Sequence, residues 1–285
     1  MLPERSGTAA VAVIVLTFDE EVNLGHCLES VCGWAQEVFV VDSFSKDGTR
    51  AVAEKYPCVF VEHAFGGYVA QRNWALRELP ITAEWVFFLD ADEMLTEAGC
   101  EEIRALLASG PKENGFFVAW RMIFLGKWVK RGYYPTYILR LFRKDNARYL
   151  DGQFNDQASV DGEKGYLRED LIHWNRKPLA EWMTKQIGYA QLEARDILRQ
   201  RAATLPARFW GTQRERVQWL RQKVYLNMPP FVRPLLYFFY RMIVRGGIFD
   251  GPTAWLYHFY QCLWLYMMID TMVLEHRLAE RDGQR

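Results

Sequence analysis

The feature that most constrains this chain is a repeated punctuation in its N-terminal part: short apolar runs of strand length, each ending on polar or acidic side chains, separated by segments of helical period. Val11–Thr17, Glu37–Asp42, Val59–Glu62 and Trp85–Asp90 are rich in Val and Phe and too short for most helices, which predicts strands buried on both faces. Between them, Glu20–Val31 repeats apolar residues at Val22, Leu24, Cys27, Leu28 and Val31, and Asp47–Tyr56 and Val69–Leu79 give two further helices. Strand and helix alternating in this way predict an α/β fold, a largely parallel sheet covered by helices on both faces.

The texture changes from Gly115. Gly115–Phe124 and Thr136–Phe142 read as longer strands, a mixed extension of the same sheet, and the polar stretch Asp145–Asp170 reads as loops and short strands. After Pro178 the period becomes helical and stays so, with breaks at Pro206, Pro229-Pro230, Pro234, Gly246-Gly247 and Pro252. The expected organisation is therefore an α/β domain over 1–176 and a helical region over 177–285. A chain of 285 residues, half of them hydrophobic, buries a large core without staples. Its five cysteines form no CxxC pair, which fits a reducing, cytoplasmic setting. Residues 1–10 lack the basic start and apolar run of a signal peptide, so no export is expected.

A formal net charge of zero hides an asymmetry. Residues 1–110 carry 18 acidic and 7 basic side chains, whereas residues 195–245 carry 11 basic and 2 acidic ones interleaved with aromatics. The second block suits anionic lipid headgroups, and the acidic first half would repel a long polyanion, so nucleic acid is not an expected partner. Gly251–Ile269 is a charge-free run of 19 residues, but Pro252, His258, Gln261 and its Tyr and Trp residues give it the composition of a water–lipid interface. Preceded by Leu235–Val244 and the Arg-rich block, it predicts peripheral or monotopic attachment with Arg233, Arg241 and Arg245 facing headgroups; a soluble helical cap is the plain alternative.

The strongest chemical signal is Phe87-Phe88-Leu89-Asp90-Ala91-Asp92-Glu93 at the end of a predicted buried strand. Alternation puts Asp90 and Asp92 on one side, where two carboxylates need a compensating cation, and hard Mg²⁺ or Mn²⁺ shared with phosphate oxygens is a natural one. Otherwise Asp92 and Glu93 are solvated helix-capping groups. Asp42-Ser43-Phe44-Ser45-Lys46-Asp47-Gly48-Thr49 and Thr17-Phe18-Asp19-Glu20-Glu21 end two more strands, so three strand ends converge on one polar crevice.

Taken together these segments resemble the family 2 glycosyltransferases. Thr17 to Glu21 is similar to the family's Asn-Glu-Glu element with Asp for Asn; Asp42 to Thr49 resembles its Asp-x-x-Ser-x-Asp-Gly-Thr segment; Gln71-Arg72-Asn73 resembles its Ala-Arg-Asn element; and Asp90-Ala91-Asp92 resembles its DxD. The resemblance implies a GT-A fold, a Rossmann-like mixed sheet followed here by a C-terminal helical, membrane-associating region. It also implies a nucleotide diphosphate sugar, UDP-linked, as donor. Thr17, Glu20 and Asp42 would line the nucleoside pocket, with Asp19 among the donor-binding residues. Arg72 would face the diphosphate, and Asp92 would hold a divalent metal, Mg²⁺ or Mn²⁺, with Asp90 on the ribose or metal side and His173 as a further metal candidate.

The subgroup acting on lipopolysaccharide cores and related envelope glycolipids carries an Arg-Leu-Phe-Arg strand followed by a loop with His-Glu. Here Arg140-Leu141-Phe142-Arg143 is present and Asn155-Asp156 stands in place of His-Glu, which makes Asp156 the candidate base, with Asp151 and Asp161 nearby. Gly247-Ile248-Phe249-Asp250-Gly251 matches a further segment of those enzymes. The resemblance implies an inverting transfer to a lipid-linked or lipopolysaccharide-core saccharide at the cytoplasmic face of the inner membrane. Transfer to polyprenyl phosphate, and a silent nucleotide-binding membrane adaptor, stay open. Trp120, Trp128, Tyr133 and Tyr134 are candidates for stacking on an acceptor sugar, and Arg140 and Arg143 for meeting its phosphates.

Overall fold

The computed structural model describes residues 8–150, 157–198, 208–211 and 213–283. The chain divides into two compact units, the first holding described residues within 8–123, 135–150 and 157–176, the second those within 124–134 and from 177 on.

In chain order the first unit comprises β1 (Ala9–Thr17), α1 (Leu24–Val31), β2 (Ala35–Asp42), α2 (Thr49–Ala53), β3 (Val59–Glu62), α3 (Tyr68–Glu78), β4 (Trp85–Asp90), β5 (Glu93–Leu95), α4 (Glu97–Ala108) and β6 (Gly115–Phe124). After the two-residue β7 (Lys127–Trp128), which lies in the second unit, come β8 (Tyr137–Arg143), β9 (Ala147–Leu150), β10 (Gln157–Val160) and β11 (Lys164–His173). The sheet runs β3-β2-β1-β4-β8-β6-β11-β5. β3, β2, β1 and β4 are parallel, β8 is antiparallel to both its neighbours, β11 runs parallel to β6, and β5 closes the edge antiparallel to β11. This is the Rossmann-like mixed sheet of a GT-A fold.

Period-two alternation along the strands separates two cores. Val11, Val13 and Val15 of β1 pack with Leu24, Cys27 and Leu28 of α1 and Ile103 of α4 on one face. Ala12 and Ile14 pack on the other with Ala75, Leu76 and Phe88, where the β9–β10 hairpin adds Tyr149 and Val160. β1, β2 and β4 are buried on both sides, as expected for a parallel sheet between layers, whereas β3, expected to be buried as well, is the edge strand of the sheet and leaves Val59 exposed.

Two further expectations for the first unit need correction. The stretch read as loops and short strands holds the ten-residue β11, because its charged residues find partners: Arg121 donates to Asp170 at 2.8 Å, and the Arg168 and Glu169 amides donate to the Glu102 carboxylate at 2.8 and 2.9 Å, while Leu167 and Leu171 face the core. The first helix begins at Leu24, not Glu20, since Asp19 to Asn23 form a turn bonded to the next loop.

The second unit is helical: α5 (Leu179–Leu198), α6 (Gln213–Lys223), α7 (Val232–Phe239), α8 (Pro252–His258) and α9 (Leu265–Arg281), with π-helical turns at Tyr240–Val244 and Phe259–Trp264. α5 and α9 share a core of Ala190, Ala194, Leu265, Ile269 and Val273. The expectation that Arg233 faces headgroups is overturned: it is buried in an ion pair with Asp270 that fastens the start of α7 to α9, and Asp270 also accepts the Phe231 amide at 2.8 Å. Asp250 of the Gly247–Gly251 segment accepts the Lys130 and Arg131 amides at 2.5 and 3.0 Å. Among the described residues no helix is long and apolar enough to cross a membrane.

His258 is fully buried, with Nε2 3.0 Å from the Arg131 carbonyl. Two glycines make its room: a Cβ at Gly132, whose φ is +76°, would stand 2.5 Å from Nε2, and one at Gly247 would stand 3.0 Å from it. Burial, then the Arg241 charge, pushes its pKa down to about 4 against weaker opposing pulls from the Arg131 carbonyl and Asp250. The unfolded chain takes up this proton near pH 6.5, the folded chain only near 4, so stability is full above that window and is lost as the pH falls through it. Thermal unfolding followed between pH 7 and 4 is expected to show the wild type losing about 2 kcal/mol more than His258→Gln.

Candidate active site

The carboxyl ends of β1, β2 and β4 stand side by side, with Thr17 in register with Asp42 and Leu16 with Asp90. The chain adds strands on one side of β1 up to β3 and then crosses to place β4 on the other side. That edge is the switch point at which open α/β sheets leave a crevice.

At the β1 and β2 ends, Thr17 Oγ1 donates to Asp42 Oδ1 at 2.8 Å, and the Ser45 amide donates to Asp42 Oδ2 at 2.7 Å. Asp42 is buried, so its carboxylate is fixed by the loop that follows it. Asp19 ties the same loop from the other side: its amide donates to Ser45 Oγ at 2.7 Å and its Oδ1 accepts the Lys46 amide at 2.8 Å. Asp19 and Phe44 have φ of 52° and 61°, a left-handed conformation that costs non-glycine residues roughly 1–2 kcal/mol and is held here by those bonds. Phe18 and Phe44 are more than half exposed at the strand ends, a placement that no sequence pattern marked. Glu20 is buried, donating its amide to Thr49 Oγ1 and accepting Asn23 Nδ2, both at 2.7 Å. Asn23 in turn accepts the Arg176 amide at 2.9 Å.

At the β4 end a ladder of charges is assembled. α3 buries Gln71, Arg72, Ala75 and Leu76, and Arg72 Nη2 donates to Asp90 Oδ1 at 2.7 Å while its guanidinium lies 5.3 Å from the Tyr149 ring. Arg140 of β8 donates through Nη2 to Asp90 Oδ2 at 2.8 Å and to Glu93 Oε1 at 2.7 Å. Glu93 is fully buried, accepting also the Trp120 indole at 2.8 Å and the Asp90 amide at 2.9 Å. The reading of Glu93 as a solvated cap is therefore overturned: its carboxylate is the hub, and the signal that would have found it is a third acid beside Asp-x-Asp opposite a strand-borne Arg. Burial disfavours the charge on Arg140, but Asp90 and Glu93 outweigh it and keep the guanidinium protonated. The buried Cys27 thiol is pushed well up by burial and by Glu93, Asp92 and Asp90, so it is no nucleophile.

Asp92 is almost buried, its carbonyl accepting the Trp174 amide at 2.8 Å. His173 Nε2 lies 3.6 Å from Asp92 Oδ2, beyond hydrogen-bond reach, and its ring meets Trp120 edge-on at 4.8 Å. Burial opposes a charge on His173, yet Asp92, then Glu93 and Asp90, raise its pKa above the ordinary histidine value. Asp90 is committed to two guanidinium groups, leaving Asp92 and His173 as the donors that face each other. Among the described residues no group of three or more such side chains is placed to hold a metal. One hard oxygen and one imidazole nitrogen fit Mg²⁺ or Mn²⁺ only as part of a shell completed by water and phosphate oxygens.

Other candidates lie elsewhere. Asp156, Asp151 and Asn155 fall outside the described residues. Asp161 pairs with Arg148 at 3.4 Å. Arg143 lies 4.6 Å from the Trp85 ring, donates to the Pro111 carbonyl at 3.0 Å and pairs with Glu84. In the second unit Trp128 meets Tyr134, and Tyr133 packs on Tyr257 and Arg241. Trp120 is engaged by Glu93 and His173, so none of these four aromatics stands clear of other rings or charges.

A family model described as glycosyl transferase family 2 matches residues 12–172. Over 196 residues the chain is 32% identical to the lipopolysaccharide core biosynthesis glycosyltransferase LpsC of Rhizobium meliloti (strain 1021), covering 65% of this chain and 70% of the relative. It is 26% identical over 208 residues to the uncharacterized glycosyltransferase RC0292 of Rickettsia conorii (strain ATCC VR-613 / Malish 7), covering 69% and 73%. Among solved structures, the mannosyltransferase PcManGT from Pyrobaculum calidifontis, in complex with GDP-Man and Mn²⁺, aligns with a TM-score of 0.49 at 17% identity, covering 98% of this chain and 89% of that one.

The ladder makes a stability prediction. Glu93→Ala leaves Arg140, the Trp120 indole and the Asp90 amide short of an acceptor, and is expected to cost about 3–5 kcal/mol in urea unfolding, whereas Glu93→Gln keeps an acceptor for the indole and costs less.

Proposed function

The chain belongs to glycosyl transferase family 2, and we propose that it is an inverting enzyme moving a sugar from a nucleotide diphosphate sugar, UDP-linked, to a lipid-linked or lipopolysaccharide-core saccharide. The observation that carries this reading is the meeting of Thr17, Asp42, Arg72 and Asp92 at adjacent strand ends in a chain of this family. Thr17, Asp19, Glu20 and Asp42 bind the nucleoside end of the donor, on a loop pair stiffened by their mutual hydrogen bonds. Arg72 binds the diphosphate, and Asp90, gripping Arg72 from one side and Arg140 from the other, orients it. Asp92 and His173 would hold Mg²⁺ or Mn²⁺, which when bound supplies positive charge against the departing diphosphate.

Asp156 acts as the base. The acceptor hydroxyl oxygen bonds to the anomeric carbon as the carbon–oxygen bond to the diphosphate breaks, and the hydroxyl proton passes to the Asp156 carboxylate. One displacement inverts the anomeric centre. The acceptor assignment is supported by the relative named for lipopolysaccharide core biosynthesis. A membrane-borne acceptor places the enzyme at the cytoplasmic face of the inner membrane, attached from one side.

The test is a panel of UDP- and GDP-linked sugars offered with lipopolysaccharide-core acceptors. Transfer from one donor is expected, with kcat lowered about 10²–10⁴-fold in Asp156→Asn and donor KM little changed. No donor consumption across the panel, or full activity in Asp156→Asn, contradicts the reading.

A further inference from the structure

The second unit carries an apolar face that its own packing leaves bare. From α7 into the π-helical turn, Leu236, Phe239, Ile243 and Val244 recur at helical spacing and are each 50–72% exposed, and the row continues into Ile248 and Phe249, the latter 75% exposed. The same stretch buries Arg233, Pro234 and Met242. Trp255 extends the face: its indole donates to the Ile248 carbonyl at 2.8 Å while its ring stays 43% exposed. A monomeric protein rarely shows a contiguous apolar surface of this extent without a partner for it.

The rim of this face is basic. Arg131 lies 5.8 Å from the exposed Phe249 ring, and Lys130, Arg131 and Arg245 are all exposed. Between residues 224 and 269 the single acidic side chain is Asp250, and it is turned to the Lys130 and Arg131 amides. An isologous contact between two copies would bring like charges of this rim together, whereas anionic headgroups would neutralise them. Aliphatic and aromatic side chains on one helix face, cations at the edge and no described helix able to cross a bilayer are the features of a segment that lies in the membrane interface.

We infer that Leu236–Phe249 with Trp255 is the face by which this protein inserts into an anionic lipid surface, with Lys130, Arg131 and Arg245 on the headgroups. The inference rests on the membrane-borne acceptor proposed above in choosing a lipid as partner, and it deepens that reading by naming the face and the lipid charge.

Co-sedimentation of the full chain, without nucleotide, with vesicles of phosphatidylcholine alone or mixed with phosphatidylglycerol tests it. Binding is expected to the mixed vesicles, to weaken with salt, and to fall about tenfold or more in Ile243→Glu/Phe249→Glu and in Lys130→Glu/Arg131→Glu. UDP titration of each variant, expected to match the wild type, separates loss of the face from loss of the fold or of the nucleotide site. The wild-type comparison of the two vesicle types stands even where a variant does not fold. Equal binding to both vesicle types, binding to neither, or a dimer in sedimentation velocity that Phe249→Glu dissociates would overturn the inference.

Discussion

The carboxylate of Glu93 is withdrawn from water and takes hydrogen bonds from a guanidinium, an indole and a backbone amide. Burying a carboxylate and an arginine together is expensive, and such a pair is tolerated where its remaining lone pairs and protons are also satisfied. What it secures here is position. The Asp90 amide bound to Glu93 fixes the turn from β4 to β5, and β5 is seated so that Glu93 falls in register with His173 on β11. Arg140, held by Glu93, steadies Asp90, and Asp90 steadies Arg72. One buried acid thereby sets a donor arginine and an aspartate–histidine pair at the same strand end.

The crevice is organised by two devices with different physics. At the β4 side it is charge pairing at low exposure, where each ion is matched within 3 Å and the loss of one leaves others unpaired. At the β1 and β2 side it is a lattice of neutral and charge-assisted bonds between two loops, Thr17 to Asp42, Asp19 to Ser45 and Lys46, and Glu20 to Thr49. Those bonds hold Asp19 and Phe44 in left-handed backbone. For the proposed recognition of a polar nucleotide and a charged diphosphate, groups already in place serve better than groups ordered on binding.

Much of the first unit was legible because β1, β2 and β4 are buried on both faces and therefore announce themselves as Val- and Phe-rich runs ending on Thr17, Asp42 and Asp90. The order of the later strands was not. β11 alternates Leu167 and Leu171 with charged residues whose partners, Glu102 and Arg121, lie far away in sequence, so it resembled a polar loop. The alternative of a solvated Glu93 stayed open because a carboxylate is buried only when a distant Arg140 reaches it, and pairing across 47 positions leaves no local pattern. In the second unit Asp250 and His258 reach back to residues 130 and 131, contacts that helical periodicity does not encode.

The account stands on the strand-end crevice being a nucleotide-diphosphate site that works with a divalent cation. Calorimetric titration of UDP into the protein with Mn²⁺, without metal, and with Mn²⁺ in Asp92→Ala addresses it most directly. Binding that requires Mn²⁺ and disappears in Asp92→Ala is the predicted result. Absence of UDP binding with and without metal, or undiminished binding in Asp92→Ala, would contradict it.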